Sequence, residues 1–85
     1  MAHVTMYLTA TCPYCQSAER LLAEKGATDV EKIRVDVHPE RRAEMMQRSG
    51  RRTVPQIWIG DRHVGGCDDL HDLDREGRLD ALLAA

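Results

Sequence analysis

The stretch Thr11-Cys12-Pro13-Tyr14-Cys15 decides how this chain reads. Two thiols stand three positions apart, and a proline follows the first. The residues before it, His3 to Leu8, read as a strand, and those after it, Gln16 to Lys25, as a helix. A Cys-x-x-Cys at a strand-to-helix turn is the signature of a dithiol redox site. Pro13 suits the first helical position, where its missing N–H would have had no intrahelical partner. Cys12 then takes the cap and Cys15 the third helical position. The first N–H groups of a helix lack partners, and the helix dipole puts partial positive charge among them. A thiolate on Cys12 collects that field and those hydrogen bonds, which makes Cys12 the attacking sulfur. Cys15 lies one turn along and nearer the interior. It reaches the Cys12 sulfur while staying mostly a thiol, which makes it the resolving cysteine.

Other uses of the pair fit less well. A structural zinc site usually needs a second pair of ligands. The only further cysteine is Cys67, and His3, His38, His63 and His71 show no ligand-like pairing, so no metal is expected. A structural disulfide across a two-residue gap closes too small a loop to constrain the unfolded chain much.

Eighty-five residues are expected to form one domain, residues 1–85, with a modest core. Twelve basic and 14 acidic side chains leave a net charge of -2, which argues against nucleic acid as the main partner. No apolar run is long enough to span a bilayer. Met1-Ala2-His3-Val4 shows no basic region followed by an apolar run, so no secretory leader is expected. Three cysteines, an odd count, fit a reducing compartment such as the cytoplasm. With only Tyr7, Tyr14 and Trp58 as aromatics, the core must come mainly from Leu, Ile, Val, Met and Ala.

Val4 to Leu8 lacks clear alternation, as expected of a strand covered on both faces. In the first helix Ala18, Leu21, Leu22 and Lys25 follow helical spacing, and Gly26 terminates it. Lys32-Ile33-Arg34-Val35-Asp36 alternates polar and apolar, which predicts an edge strand. Pro39 starts a second helix to about Ser49, with Ala43, Met46 and Met45 on its buried side. Gln56 to Ile59 is a strand with Ile57 and Ile59 on one face and Trp58 on the other. Gly60-Asp61 turns it back through Arg62-His63-Val64. Cys67-Asp68-Asp69 opens a third helix, with Leu70 and Leu73 inward and Gly77 closing it. Leu79, Leu82 and Leu83 anchor a last helical segment over Asp80 to Ala84. The order is β-α-β-α-β-β-α with a helical tail.

Cys12-Pro13-Tyr14-Cys15, Thr53-Val54-Pro55 and Gly65-Gly66-Cys67-Asp68-Asp69-Leu70, in this order and at these separations, resemble a dithiol glutaredoxin of the small bacterial class. The likeness covers essentially the whole chain. It implies an α/β thioredoxin fold, a four-stranded mixed sheet with helices on both faces. It also implies glutathione as co-substrate. By the resemblance, Pro55 is cis and faces the redox turn, with Thr53 and Val54 offering backbone to the cysteinyl unit of glutathione. Backbone N–H groups of Cys67 and Asp68 hold the γ-glutamyl carboxylate. A side-chain carboxylate, of Asp69 rather than Asp68, pairs with its ammonium. Both aspartates also suit a helix start on their own merits. Gly65 and Gly66 let the backbone come close. Arg42 and Arg52 are implied for the glycyl carboxylate, and the Tyr14 ring for flanking the tripeptide. Thr9 stands where the family often has lysine, which removes a positive charge near Cys12 and implies weaker glutathione binding.

The implied activity is glutathione-dependent reduction of protein–glutathione mixed disulfides through Cys12, and of protein disulfides through Cys12 and Cys15. The partners are glutathione and disulfide-containing or glutathionylated proteins, with no membrane partner and a monomer as the expected state. No cofactor is expected. Some relatives carry a [2Fe–2S] cluster between subunits on the first cysteine and glutathione, an alternative that Pro13 disfavours. A redoxin served by thioredoxin reductase is a third reading, against which Asp68, Asp69 and Arg42 speak.

Overall fold

The computed structural model describes residues 2–85. In chain order the elements are β1 (Val4–Leu8), α1 (Pro13–Glu24), β2 (Val30–Arg34), α2 (Pro39–Ser49), β3 (Gln56–Ile59), β4 (Arg62–Gly65), α3 (Cys67–Arg75) and α4 (Leu79–Ala84). The strands form one sheet in the order β2-β1-β3-β4. β1 runs parallel to β2, with Val4 beside Val30 and Leu8 beside Arg34. β1 is antiparallel to β3, and β3 to β4. The parallel pair needs a crossover, which α1 provides.

The sheet is covered on both faces, which is why β1 carries no polar alternation. Val4, Met6 and Leu8 join Ile57 and Ile59 under Ala18, Leu21 and Leu22 of α1 and Leu70 and Leu73 of α3. Tyr7 and Trp58 turn to the opposite face, with Ile33, Val35 and Met45. The strand period of two thus divides β3 as expected. Leu22 and Leu70 are 2% and 0% exposed, so truncating either to alanine costs about 2–5 kcal/mol. α4 adds Leu79 and Leu83 to the same core.

Three expectations need correction. β2 lies at an edge as predicted, but it spans Val30–Arg34 rather than residues 32–36. Asp36 is drawn into the following turn, because its carboxylate takes both Arg34 Nε and Nη2 at 2.7 Å and the Ala10 amide at 3.3 Å. Ala43 is exposed, and Met45 is the fully buried residue of α2 while Met46 is half-buried. Lys25 caps α1 rather than extending its apolar face. Its ammonium reaches Asp74 at 2.6 Å and Asp80 at 3.3 Å.

Candidate active site

The C-terminal end of β1 delivers the chain to Cys12, the N-cap of α1, in extended conformation at φ -110 and ψ 110. Pro13 follows at the first turn, so the helix begins where the sequence places it. The Cys15 amide donates to Cys12 Sγ at 3.2 Å. The sulfur thus takes one of the otherwise unpartnered first-turn N–H groups of the helix. As a thiol, Cys12 points at the Val54 carbonyl, 3.8 Å away. Cys15 is fully buried, and its thiol is pushed up to about 12, first by burial and then by its hydrogen bond with Cys12. The two sulfurs are not bridged in this structure. One sulfur is half-buried and hydrogen-bonded as an acceptor, and the other is enclosed and protonated. The two sulfurs are thus chemically unlike.

A cleft opens beside Cys12, lined by Tyr14, Arg51, Thr53, Val54, Pro55, Gly66, Cys67, Asp68 and Asp69. Three separate stretches of chain meet here. Tyr14, 66% exposed, stands at the rim. The Val54–Pro55 peptide is cis. At the far end α3 begins, with Gly66 as N-cap and Cys67 and Asp68 in a first turn whose amides have no carbonyl one turn back. Asp69 Oδ2 accepts the Gly66 N–H at 2.9 Å and Arg51 Nη1 at 3.0 Å. The Gly66 bond, then Arg51, hold the Asp69 carboxyl below the usual carboxylate range.

Comparison with known proteins agrees with this geometry. The family model described as Glutaredoxin matches residues 4–64. A curated glutaredoxin of Pseudomonas aeruginosa is 58% identical over 85 residues, covering 100% of both chains. Glutaredoxin 3 of Escherichia coli is 51% identical, covering 98% of this chain and 99% of the relative. The chain belongs to the glutaredoxin family. A crystal structure of a buckwheat glutaredoxin–glutathione complex superposes with a TM-score of 0.90 at 30% identity, over 98% of this chain and 77% of that one. The fold is therefore the thioredoxin fold, and the protein is a glutathione-dependent thiol–disulfide oxidoreductase.

Within this glutaredoxin the structure gathers Tyr14, Thr53, Val54, Pro55, Gly66, Cys67, Asp68 and Asp69 at one cleft next to Cys12. Arg42 and Arg52 are not among the lining residues. Arg42 Nη1 instead donates to the Arg52 carbonyl at 3.3 Å, bracing the loop before Thr53. The arginine in the cleft is Arg51, which the sequence reading did not single out. Ser49 Oγ accepts the Arg51 N–H at 3.0 Å and donates to the Arg51 carbonyl at 3.2 Å, just beyond the left-handed Gly50 at φ 71. The sequence offered no signal for that choice, which depends on bonds made in the folded loop. Gln56 was also missed, and it is the buried polar residue behind Thr53.

Proposed function

We propose that Cys12 carries both half-reactions, with glutathione lying along Thr53-Val54-Pro55 and its γ-glutamyl end at the start of α3. In the first, the Cys12 thiolate attacks the glutathione sulfur of a protein–glutathione mixed disulfide. The S–S bond breaks, the protein leaves as thiolate, and Cys12 holds the glutathionyl group. A second glutathione thiolate then attacks that sulfur, forming oxidised glutathione and returning the Cys12 thiolate. With a protein disulfide, Cys12 attacks one sulfur and the other leaves as thiolate; Cys15, after losing its proton, then attacks the Cys12 sulfur, the second protein thiolate leaves, and a Cys12–Cys15 bridge forms. Two glutathiones then reduce the Cys12–Cys15 bridge. Glutaredoxin potentials of about -200 to -230 mV sit close to the glutathione pool, so electrons pass in either direction.

The observation that carries this reading is the line of groups in the cleft. Cys12 Sγ lies beside the Val54 carbonyl, and the α3 amides with Asp69 close the other end. A strand-like backbone pair at one end and a cap with a carboxylate at the other suit a dipolar tripeptide. Arg42 and Arg52 enter the proposal, for the glycyl carboxylate, on family likeness. We further propose that residues 1–85 act as one domain, as a monomer without a cofactor, in electron transport and redox homeostasis in a reducing cytoplasm. The odd count of three cysteines supports that compartment. Among the described residues no helix is long and apolar enough to cross a membrane.

The test is a glutathione-coupled assay on a glutathionylated peptide and on a protein disulfide. Cys12→Ser is expected to abolish both activities. Cys15→Ser is expected to keep the first and lose the second. Loss of the first activity in Cys15→Ser would overturn the assignment of roles.

A further inference from the structure

Gln56 is fully buried, which is unusual for an amide and demands that its polar atoms be paired. Its Nε2 donates to the Thr53 carbonyl at 3.1 Å and to Thr53 Oγ1 at 3.3 Å. Its Oε1 faces His63 Nε2 at 2.8 Å. An amide oxygen only accepts, so His63 carries its proton on Nε2 and donates it to Gln56. The imidazole is itself fixed, because it stacks on Trp58 with ring centroids 4.6 Å apart. Trp58, His63, Gln56 and Thr53 thus form one chain of contacts running from β4 to the cleft.

The end of that chain has a geometric consequence. The Thr53 carbonyl and the Val54 N–H belong to one planar peptide unit, and in a trans peptide they point in opposite directions. A carbonyl pinned inward by Gln56 therefore turns the Val54 N–H away from the interior, on a residue that lines the cleft. We infer that Gln56 and His63 are positioning residues that hold the Val54 N–H in the direction needed to bind the cysteinyl unit of glutathione. This inference rests on the proposed docking of the tripeptide along Thr53-Val54-Pro55. Neither residue touches the sulfurs, so their effect belongs to binding of the glutathionyl group and not to thiolate exchange.

The experiment compares wild type with Gln56→Met, His63→Leu and His63→Gln, using a glutathionylated peptide with glutathione in fixed excess. Gln56→Met keeps the shape and removes the donor. Its KM for the peptide should rise about fivefold, the ratio that one hydrogen bond's net free energy gives, with kcat within about twofold. His63→Leu should move KM the same way by a smaller factor, and His63→Gln, which restores a side-chain N–H, should return it toward wild type. Urea midpoints show whether each variant is folded. A folded Gln56→Met with wild-type KM overturns the inference. If that variant does not fold, equal KM values for His63→Leu and His63→Gln overturn it. The underlying docking is tested separately on wild type. If glutathione leaves the Val54 amide resonance unmoved, the docking reading fails before any variant is compared.

Discussion

The Cys15 amide donates to Cys12 Sγ at 3.2 Å, while the Cys15 side chain beside it is fully buried. One turn of helix thus activates one sulfur and shelters the other. Brief alkylation near neutral pH should therefore label Cys12 alone, with Cys15 and Cys67 protected by burial. Peptide mass mapping after a time course checks this. Equal labelling rates for Cys12 and Cys67 would contradict the assignment.

Burial of Cys15 also links stability to alkaline pH. Its thiol is raised from an ordinary 9.0 to about 12, first by desolvation and then by its bond with Cys12. Between those two values the folded chain holds a proton that the unfolded chain has released. Stability is therefore intact below about pH 9 and falls as pH rises toward 12. Tyr7, raised above 10.0 by burial and then by its bond to Glu44, adds a loss of the same sign. Urea midpoints measured at about pH 8 and about pH 10.5 should decline for wild type and decline less for Cys15→Ser, which has no thiol to titrate. Equal declines would mean that Cys15 is not the linked group.

Much of this fold was legible because the deciding residues are few and chemically extreme. Pro13 between two cysteines can only open a helix, and Ile57 and Ile59 against Trp58 give the faces of β3 directly. α2 was harder to read. Arg48 lies with its guanidinium 4.3 Å from the Trp58 ring and donates to Tyr7 Oη at 2.8 Å. A cation thus covers the sheet where an apolar residue was sought, and Ala43 is left outside. The cleft was legible on its backbone side, through Thr53-Val54-Pro55 and the α3 start. Among Arg48, Arg51 and Arg52, sequence spacing carries no sign of which one faces α3. The Ser49–Arg51 bonds and the left-handed Gly50 decide that, and they exist only once the loop is folded.

Gly65 marks where backbone and site are tied. Its φ is +116, and a Cβ there would collide with the Asp69 carboxylate and stand 3.0 Å from Arg51 Nη1. Gly65→Ala should therefore cost about 1–3 kcal/mol for the strained backbone, and should raise KM for a glutathionylated substrate by displacing Asp69. Gly66→Ala is the matched control, because its φ is -95 and its Cβ would meet only the Pro55 carbonyl at 3.4 Å and Asp69 Oδ2 at 3.9 Å. Urea unfolding and steady-state kinetics on both variants check the contrast. Equal losses would show that the Asp69 carboxylate is not what the missing side chain protects.

Asp69 caps α3, the proposed docking gives it a second use, and one substitution separates the two. As a cap it needs only an acceptor for the Gly66 N–H at 2.9 Å, which asparagine also supplies. As a partner for the γ-glutamyl ammonium it needs a negative charge. Asp69→Asn should lose the ion pair to Arg51, worth at most about 1 kcal/mol between such exposed groups. The same change should weaken glutathionyl binding by about 1.5–3 kcal/mol, a rise in KM of roughly ten- to a hundredfold. Arg51→Ala removes the same ion pair and leaves the carboxylate in place, so it should match Asp69→Asn in stability without the large rise in KM. If both variants shift KM equally, the ion pair itself shapes the cleft, and the ammonium finds its charge elsewhere.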